Sequence, residues 1–103
     1  MIVERLTFQA KYGQGDGLVE LFREWAKGIG RELGMTGARL YTDVTGTMFT
    51  VSVEQEFPDM QAYTRFTEEA RKRYGSAEFA SWFARMQPLA ERGERQLLNV
   101  ESV

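Results

Sequence analysis

Neither cysteine nor histidine occurs anywhere in the 103 residues. The first absence removes disulfides, thiolate nucleophiles and thiolate metal sites. The second removes the commonest general base, the commonest metal ligand and the usual haem ligand. No metal and no cofactor is expected. Apolar runs fall far short of the roughly 18 residues that cross a bilayer, and Glu4 with Arg5 interrupts the N-terminus where a signal peptide carries its apolar centre. The expectation is a cytoplasmic protein without a membrane partner. A net charge of -2 with interspersed signs supplies no basic patch, so nucleic acid is not expected as a partner either.

What remains is ordinary globular material, 43% hydrophobic and 27% charged, with the length of one domain, residues 1–103, around one core. The clearest pattern spans residues 47–57. Phe49, Val51, Val53 and Phe57 alternate with Thr50, Ser52, Glu54 and Glu56, the two-residue period of a strand with one buried face. Residues 2–11 alternate likewise, with Ile2, Leu6, Phe8 and Ala10 against Arg5, Thr7, Gln9 and Lys11, and Glu4 falls on the apolar side.

Residues 12–17, YGQGDG, lack both the GxGxxG order and a following Lys-Ser/Thr, and read as a turn before a helix capped by Asp16. Leu18, Leu21, Phe22, Trp25, Ile29 and Leu33 then recur at helical spacing, predicting one helix of about four turns that ends near Gly34. Residues 36–44 form a shorter strand, in which Ala38, Leu40 and Thr42 alternate with Arg39, Tyr41 and Asp43, and residues 43–46 turn it into an antiparallel hairpin. Pro58 suits the first turn of the next helix, whose buried stripe would be Met60, Tyr63, Phe66, Ala70 and Tyr74. Glu68 with Lys72 and Glu69 with Arg73 describe its solvated side.

Gly75 separates a second segment that Ser76 caps, with Phe79, Trp82, Phe83 and Met86 at helical spacing, and Pro88 should end it. A final strand over residues 94–101 is expected to turn Gln96, Leu98 and Val100 one way and Leu97, Asn99 and Glu101 the other.

Strand, helix, strand, strand, split helix, strand is the order of an α+β, ferredoxin-like βαββαβ sandwich. It predicts a four-stranded antiparallel sheet with its helices on one face and the second helix split in two. The chain also resembles the dimeric α+β barrel proteins, including the antibiotic-biosynthesis-monooxygenase-like and NIPSNAP-like families. The likeness lies in the helix GLVELFREW, the helix start FPDMQAYTRF and the tail EFASWFARMQPLAERGERQLLNVE. Such proteins pair two sheets face to face, which implies a homodimer. The uncovered face would carry Arg5, Thr7, Gln9, Arg39, Tyr41, Thr50, Ser52, Glu54, Leu97 and Asn99. Antiparallel sheets also leave such faces in water, so solvation is the alternative.

Relatives that act on small molecules do so in a cleft between sheet and helices. That directs attention to polar residues on the helix side of the strands, Glu4, Gln55 and Gln96, which are costly there unless paired. Glu4 and Gln55 would meet across two neighbouring strands. With Trp25, Tyr63, Phe66 and Trp82 they are the candidate ligand-binding residues, and Glu4 and Tyr63 the candidate proton-transfer groups. The bland alternative is a wetted sheet end above a plain aromatic core. Haem-degrading members hold iron with a histidine, which this chain lacks. The Asn, Trp and Arg constellation of the cofactor-free monooxygenases does not align with Trp25, Trp82 and Asn99. Three readings follow: a homodimer binding a small apolar or aromatic molecule; a cofactor-independent monooxygenase or isomerase; a non-catalytic interaction module. A pocket of about 300 Å³ or more that holds Glu4 would favour the first two.

Overall fold

The computed structural model describes residues 1–35 and 37–103. Its elements are β1 (Ile2–Ala10), α1 (Gly15–Lys27), α2 (Ile29–Glu32), β2 (Arg39–Thr42), β3 (Thr50–Phe57), α3 (Met60–Arg73), α4 (Ala77–Met86), a 3-10 turn (Gln87–Leu89) and β4 (Ala90–Asn99). The strands form one antiparallel sheet in the order β2-β3-β1-β4, which is the ferredoxin-like arrangement, with the two most amphipathic strands in the middle. Val51, Val53 and Ala10 share a buried cluster with Leu18, Val19, Leu21, Phe22 and Trp82, so the helices cover the face bearing the odd positions of β3 and the even positions of β1. Among the described residues no helix is long and apolar enough to cross a membrane.

Local chemistry explains the element ends, and several differ from the sequence expectation. Asp16 lies inside the first turn of α1 rather than at its cap, where its charge suits the helix dipole, and Gln14 stands at the cap without a side-chain bond. The helix does not run on to Gly34 but breaks at Gly28, whose N–H is shared between the carbonyls of Glu24 and Trp25. A side chain on Gly30 would put its Cβ 2.7 Å from the Met35 sulfur, so the chain folds back closely here. Pro58 precedes α3, and Asp59 is its cap, accepting from the Ala62 N–H at 2.8 Å. Ser76 caps α4 as expected. The helix ends at Met86, and Pro88 falls in the 3-10 turn that follows.

The buried stripe of α3 is narrower than its spacing predicts: Tyr63 and Ala70 are buried, while Met60 and Tyr74 are exposed. Its charges also find other partners. Lys72 pairs with Glu69, and Arg73 reaches back to Glu32 rather than to Glu69.

Strand β2 is shorter than residues 36–44, and Thr36 lies outside the described residues. The connection to β3 is longer than a tight hairpin. Phe49 leaves the strand with a φ of 62°, a left-handed backbone, and its ring packs against Tyr12 with centroids 5.0 Å apart. Asp43 closes this loop by accepting from the Thr50 N–H at 3.1 Å.

The last strand differs most. It starts at Ala90 rather than residue 94, and its faces are the reverse of the expected ones. In its register Leu97 lies opposite Glu4, Arg95 opposite Leu6 and Gly93 opposite Phe8, so these residues share the helix-covered side. Gln96 faces Arg5 across the sheet and belongs to the open face. Asn99, opposite Ile2, belongs to the helix side. Gly93 is required where it stands, because a Cβ there would lie 2.7 Å from the Phe8 ring.

Candidate functional site

Antiparallel register makes Glu4 of β1 and Gln55 of β3 direct cross-strand partners, as their sequence positions predict. Both are buried, Glu4 9% and Gln55 7% exposed, on the face that the helices cover. The Tyr63 hydroxyl of α3 donates to Glu4 Oε2 at 2.7 Å. Arg95 Nε from β4 lies 3.4 Å from the same oxygen. This carboxylate therefore has a buried neutral donor on one side and a partly exposed cation on the other, the partners a buried charge requires. Arg95 had no place in the sequence reading. Its role depends on which way β4 faces, and that strand shows no alternation from which to read it.

Burial, and then the bond to Glu4, pushes the Tyr63 hydroxyl up to about 12. A phenol whose folded value lies above its unfolded value of 10.0 contributes stability that is intact below pH 10 and is lost as the pH rises through about 12. By linkage the loss is roughly 2–3 kcal/mol. Tyr63→Phe should lack this component, so the stability difference between wild type and variant should shrink across that window. In an ultraviolet titration of the native protein one of the 4 tyrosines should ionise last, and Tyr63→Phe should remove that late step. A variant with an unchanged titration would refute the bond.

Beside this cluster, sheet and helices form a half-open cavity of about 190 Å³. Of the candidate ligand residues Glu4, Trp25, Gln55, Phe66 and Trp82 line it, and Tyr63 does not. Tyr63 stands behind Glu4 and holds it. Phe8, Phe22 and Phe79 complete an aromatic wall, and the exposed Tyr74 and Phe83 stand at the rim. The cavity falls short of the roughly 300 Å³ set above as favouring the two small-molecule readings, and has no room for a drug-sized ligand. It exceeds the roughly 150 Å³ that admits a benzene ring. Trp82 reaches this wall from α4 and is anchored there, since its indole N–H donates to the Leu21 carbonyl at 2.7 Å.

The opposite face of the sheet is polar and well ordered. Glu54 accepts from Arg5 Nε at 2.6 Å and from the Tyr41 hydroxyl at 2.9 Å. Those bonds, Arg5 first and Tyr41 second, hold its carboxyl below the usual range against the opposing effect of burial. Thr7 and Ser52 hydroxyls are 3.2 Å apart, and Thr50 donates to Gln9 at 3.3 Å. Arg39, opposite Glu54, completes the set. Of the residues expected on this face, Arg5, Thr7, Arg39, Tyr41, Thr50 and Ser52 are there. Leu97 and Asn99 are not, for the register reason given above, and Gln96 takes a place on it instead.

No protein-family model matches the chain, and no curated protein matches it in sequence. Solved structures do. An uncharacterized NIPSNAP domain protein from Burkholderia xenovorans is 20% identical with a TM-score of 0.76, the match covering 99% of this chain and 96% of that one. A NIPSNAP family protein from Agrobacterium tumefaciens is 20% identical at a TM-score of 0.75, covering 95% and 90%. An antibiotic biosynthesis monooxygenase is 15% identical at 0.67, covering 99% and 100%. At these identities the likeness is one of fold. The chain has the fold of the NIPSNAP-domain and antibiotic-biosynthesis-monooxygenase structures.

Proposed function

We propose that this chain is a homodimeric protein that binds a small, one-ring aromatic molecule between sheet and helices. The observation that carries the reading is the cavity itself: a wall of aromatic rings with two buried polar residues, Glu4 and Gln55, in its lining, beside Thr67 and the exposed Arg95. Apolar walls with a few placed polar groups are the usual make-up of a small-molecule site. Pairing is supported by the open face, where Tyr41 and Leu98 lie among charges of both signs that are already hydrogen-bonded within the subunit. Such a face can meet its own copy about a two-fold axis.

The bond between Tyr63 and Glu4 favours a second reading, in which the bound ring undergoes proton transfer in a cofactor-independent oxygenation or isomerisation. A phenol pushed up to about 12 exchanges protons poorly near neutrality. The proton would then fall to Glu4, with Tyr63 as its positioning residue.

Native mass spectrometry tests the first reading. The expected result is a mass of twice 11.8 kDa, with a small molecule carried along or with one-ring aromatics raising the melting temperature on addition. A monomer at high concentration would remove the pairing, and a melting temperature indifferent to every ring compound would remove the ligand. Turnover of a bound aromatic that Glu4→Gln abolishes while binding persists would establish the second reading.

A further inference from the structure

The partners of the Glu4 carboxylate are unevenly distributed. Tyr63 and Arg95 both address Oε2. Among the described residues Oε1 takes no side-chain hydrogen bond, and the Gln55 carboxamide makes none. No fully enclosed polar side-chain atom lacks a partner among those residues. These atoms therefore keep contact with open space; both residues line the cavity, and Gln55 also borders the open groove beside Phe57, Ala62 and Arg65. A molecule that fills the cavity covers both groups, and covering a polar group without replacing its hydrogen bond is costly.

Resting on the ligand-binding reading above, we infer that the cavity selects a neutral one-ring aromatic bearing a single hydrogen-bonding group, a phenol or an arylamine. Its O–H or N–H is accepted by Glu4 Oε1, and its heteroatom accepts from the Gln55 amide. The charges around the site discriminate among the alternatives. An aryl carboxylate would set a second anion against Glu4, and Arg95, the cation that also lines the cavity, is already engaged by that residue. An arylalkyl ammonium would compete with Arg95, which already neutralises that carboxylate at 3.4 Å. A plain hydrocarbon ring would satisfy the aromatic wall and strand both polar groups.

Isothermal titration of the full-length protein with phenol, toluene, benzoate and benzylammonium reads this selection. Phenol should bind at least about tenfold more tightly than toluene, in line with the usual worth of a hydrogen bond to a charged group, and benzoate and benzylammonium should bind more weakly than phenol. In Glu4→Gln, with its fold checked by thermal unfolding, the preference for phenol over toluene should shrink severalfold while toluene affinity holds. Should that variant fail to fold, the wild-type ranking alone decides. Toluene binding as tightly as phenol, or a ranking led by benzoate or benzylammonium, overturns the inference but leaves a ring-binding cavity. Binding of none of the four overturns the cavity reading and the inference with it.

Discussion

Trp82→Ala is expected to lower stability by about 3–5 kcal/mol, the range for emptying a buried large aromatic position. For a chain of this length that corresponds to a fall in melting temperature of roughly 15–30 °C. The magnitude follows from what the indole does. It is 8% exposed, and its ring centroid lies 5.7 Å from that of Phe22, 5.4 Å from Trp25 and 6.1 Å from Phe79. Its N–H ties α4 to the Leu21 carbonyl of α1. Alanine removes the ring contacts and that inter-helix bond together. Trp82→Phe separates the two effects, since it keeps a ring but loses the N–H, and should cost about 1–2 kcal/mol. Trp82 also lines the cavity, so the alanine variant should enlarge it and weaken discrimination by ring size. Chemical denaturation of the three proteins measures the series, and a Trp82→Ala loss under about 1 kcal/mol would contradict a core built around α1 and α4.

Ser52→Arg should convert the proposed dimer to monomer, weakening self-association by at least about a hundredfold. Ser52 lies in the middle of the open face, opposite Thr7 of β1 on one side and Tyr41 of β2 on the other. A two-fold interface duplicates every change, so two new guanidinium groups would meet the guanidinium groups of Arg5 and Arg39 already present on both copies. Like charges brought together across an interface cost several kcal/mol. In the single subunit the same arginine can extend into water, and the variant loses only the 3.2 Å contact with Thr7. Analytical ultracentrifugation should therefore show monomer for the variant and dimer for the wild type, with matching far-ultraviolet circular dichroism. A variant that remains dimeric would show that the sheets do not meet through this face.

The reversed faces of β4 show where sequence reading stops. Along β1 and β3 the apolar positions recur every second residue, and a one-residue slip would expose the whole set, so sequence specifies those strands strongly. Strand β4 carries Arg95, Leu97 and Asn99 on one side and Glu94, Gln96 and Leu98 on the other. Neither side is apolar enough to declare itself, and almost the whole strand is exposed. Its orientation is set by pairing with β1, where Gly93 makes room for the Phe8 ring. The break at Gly28 is a similar case. Leu18 to Leu33 keeps its helical spacing across the break, and only the backbone at Gly28 and the close approach of Met35 to Gly30 show the chain turning there.

The alternation of β1 and β3 and the spacing of the aromatic residues determined, without any coordinates, a four-stranded sheet covered on one side and the meeting of Glu4 with Gln55. Those features are local patterns whose burial repeats with the period of the element itself. Tertiary structure alone decided that Arg95 joins Glu4, that Tyr63 supports the carboxylate rather than lining the cavity, and that the space left is about 190 Å³. These depend on distances between side chains far apart in the chain and on how closely the helices settle on the sheet. No periodicity records such quantities, because they are set by packing between elements rather than within one.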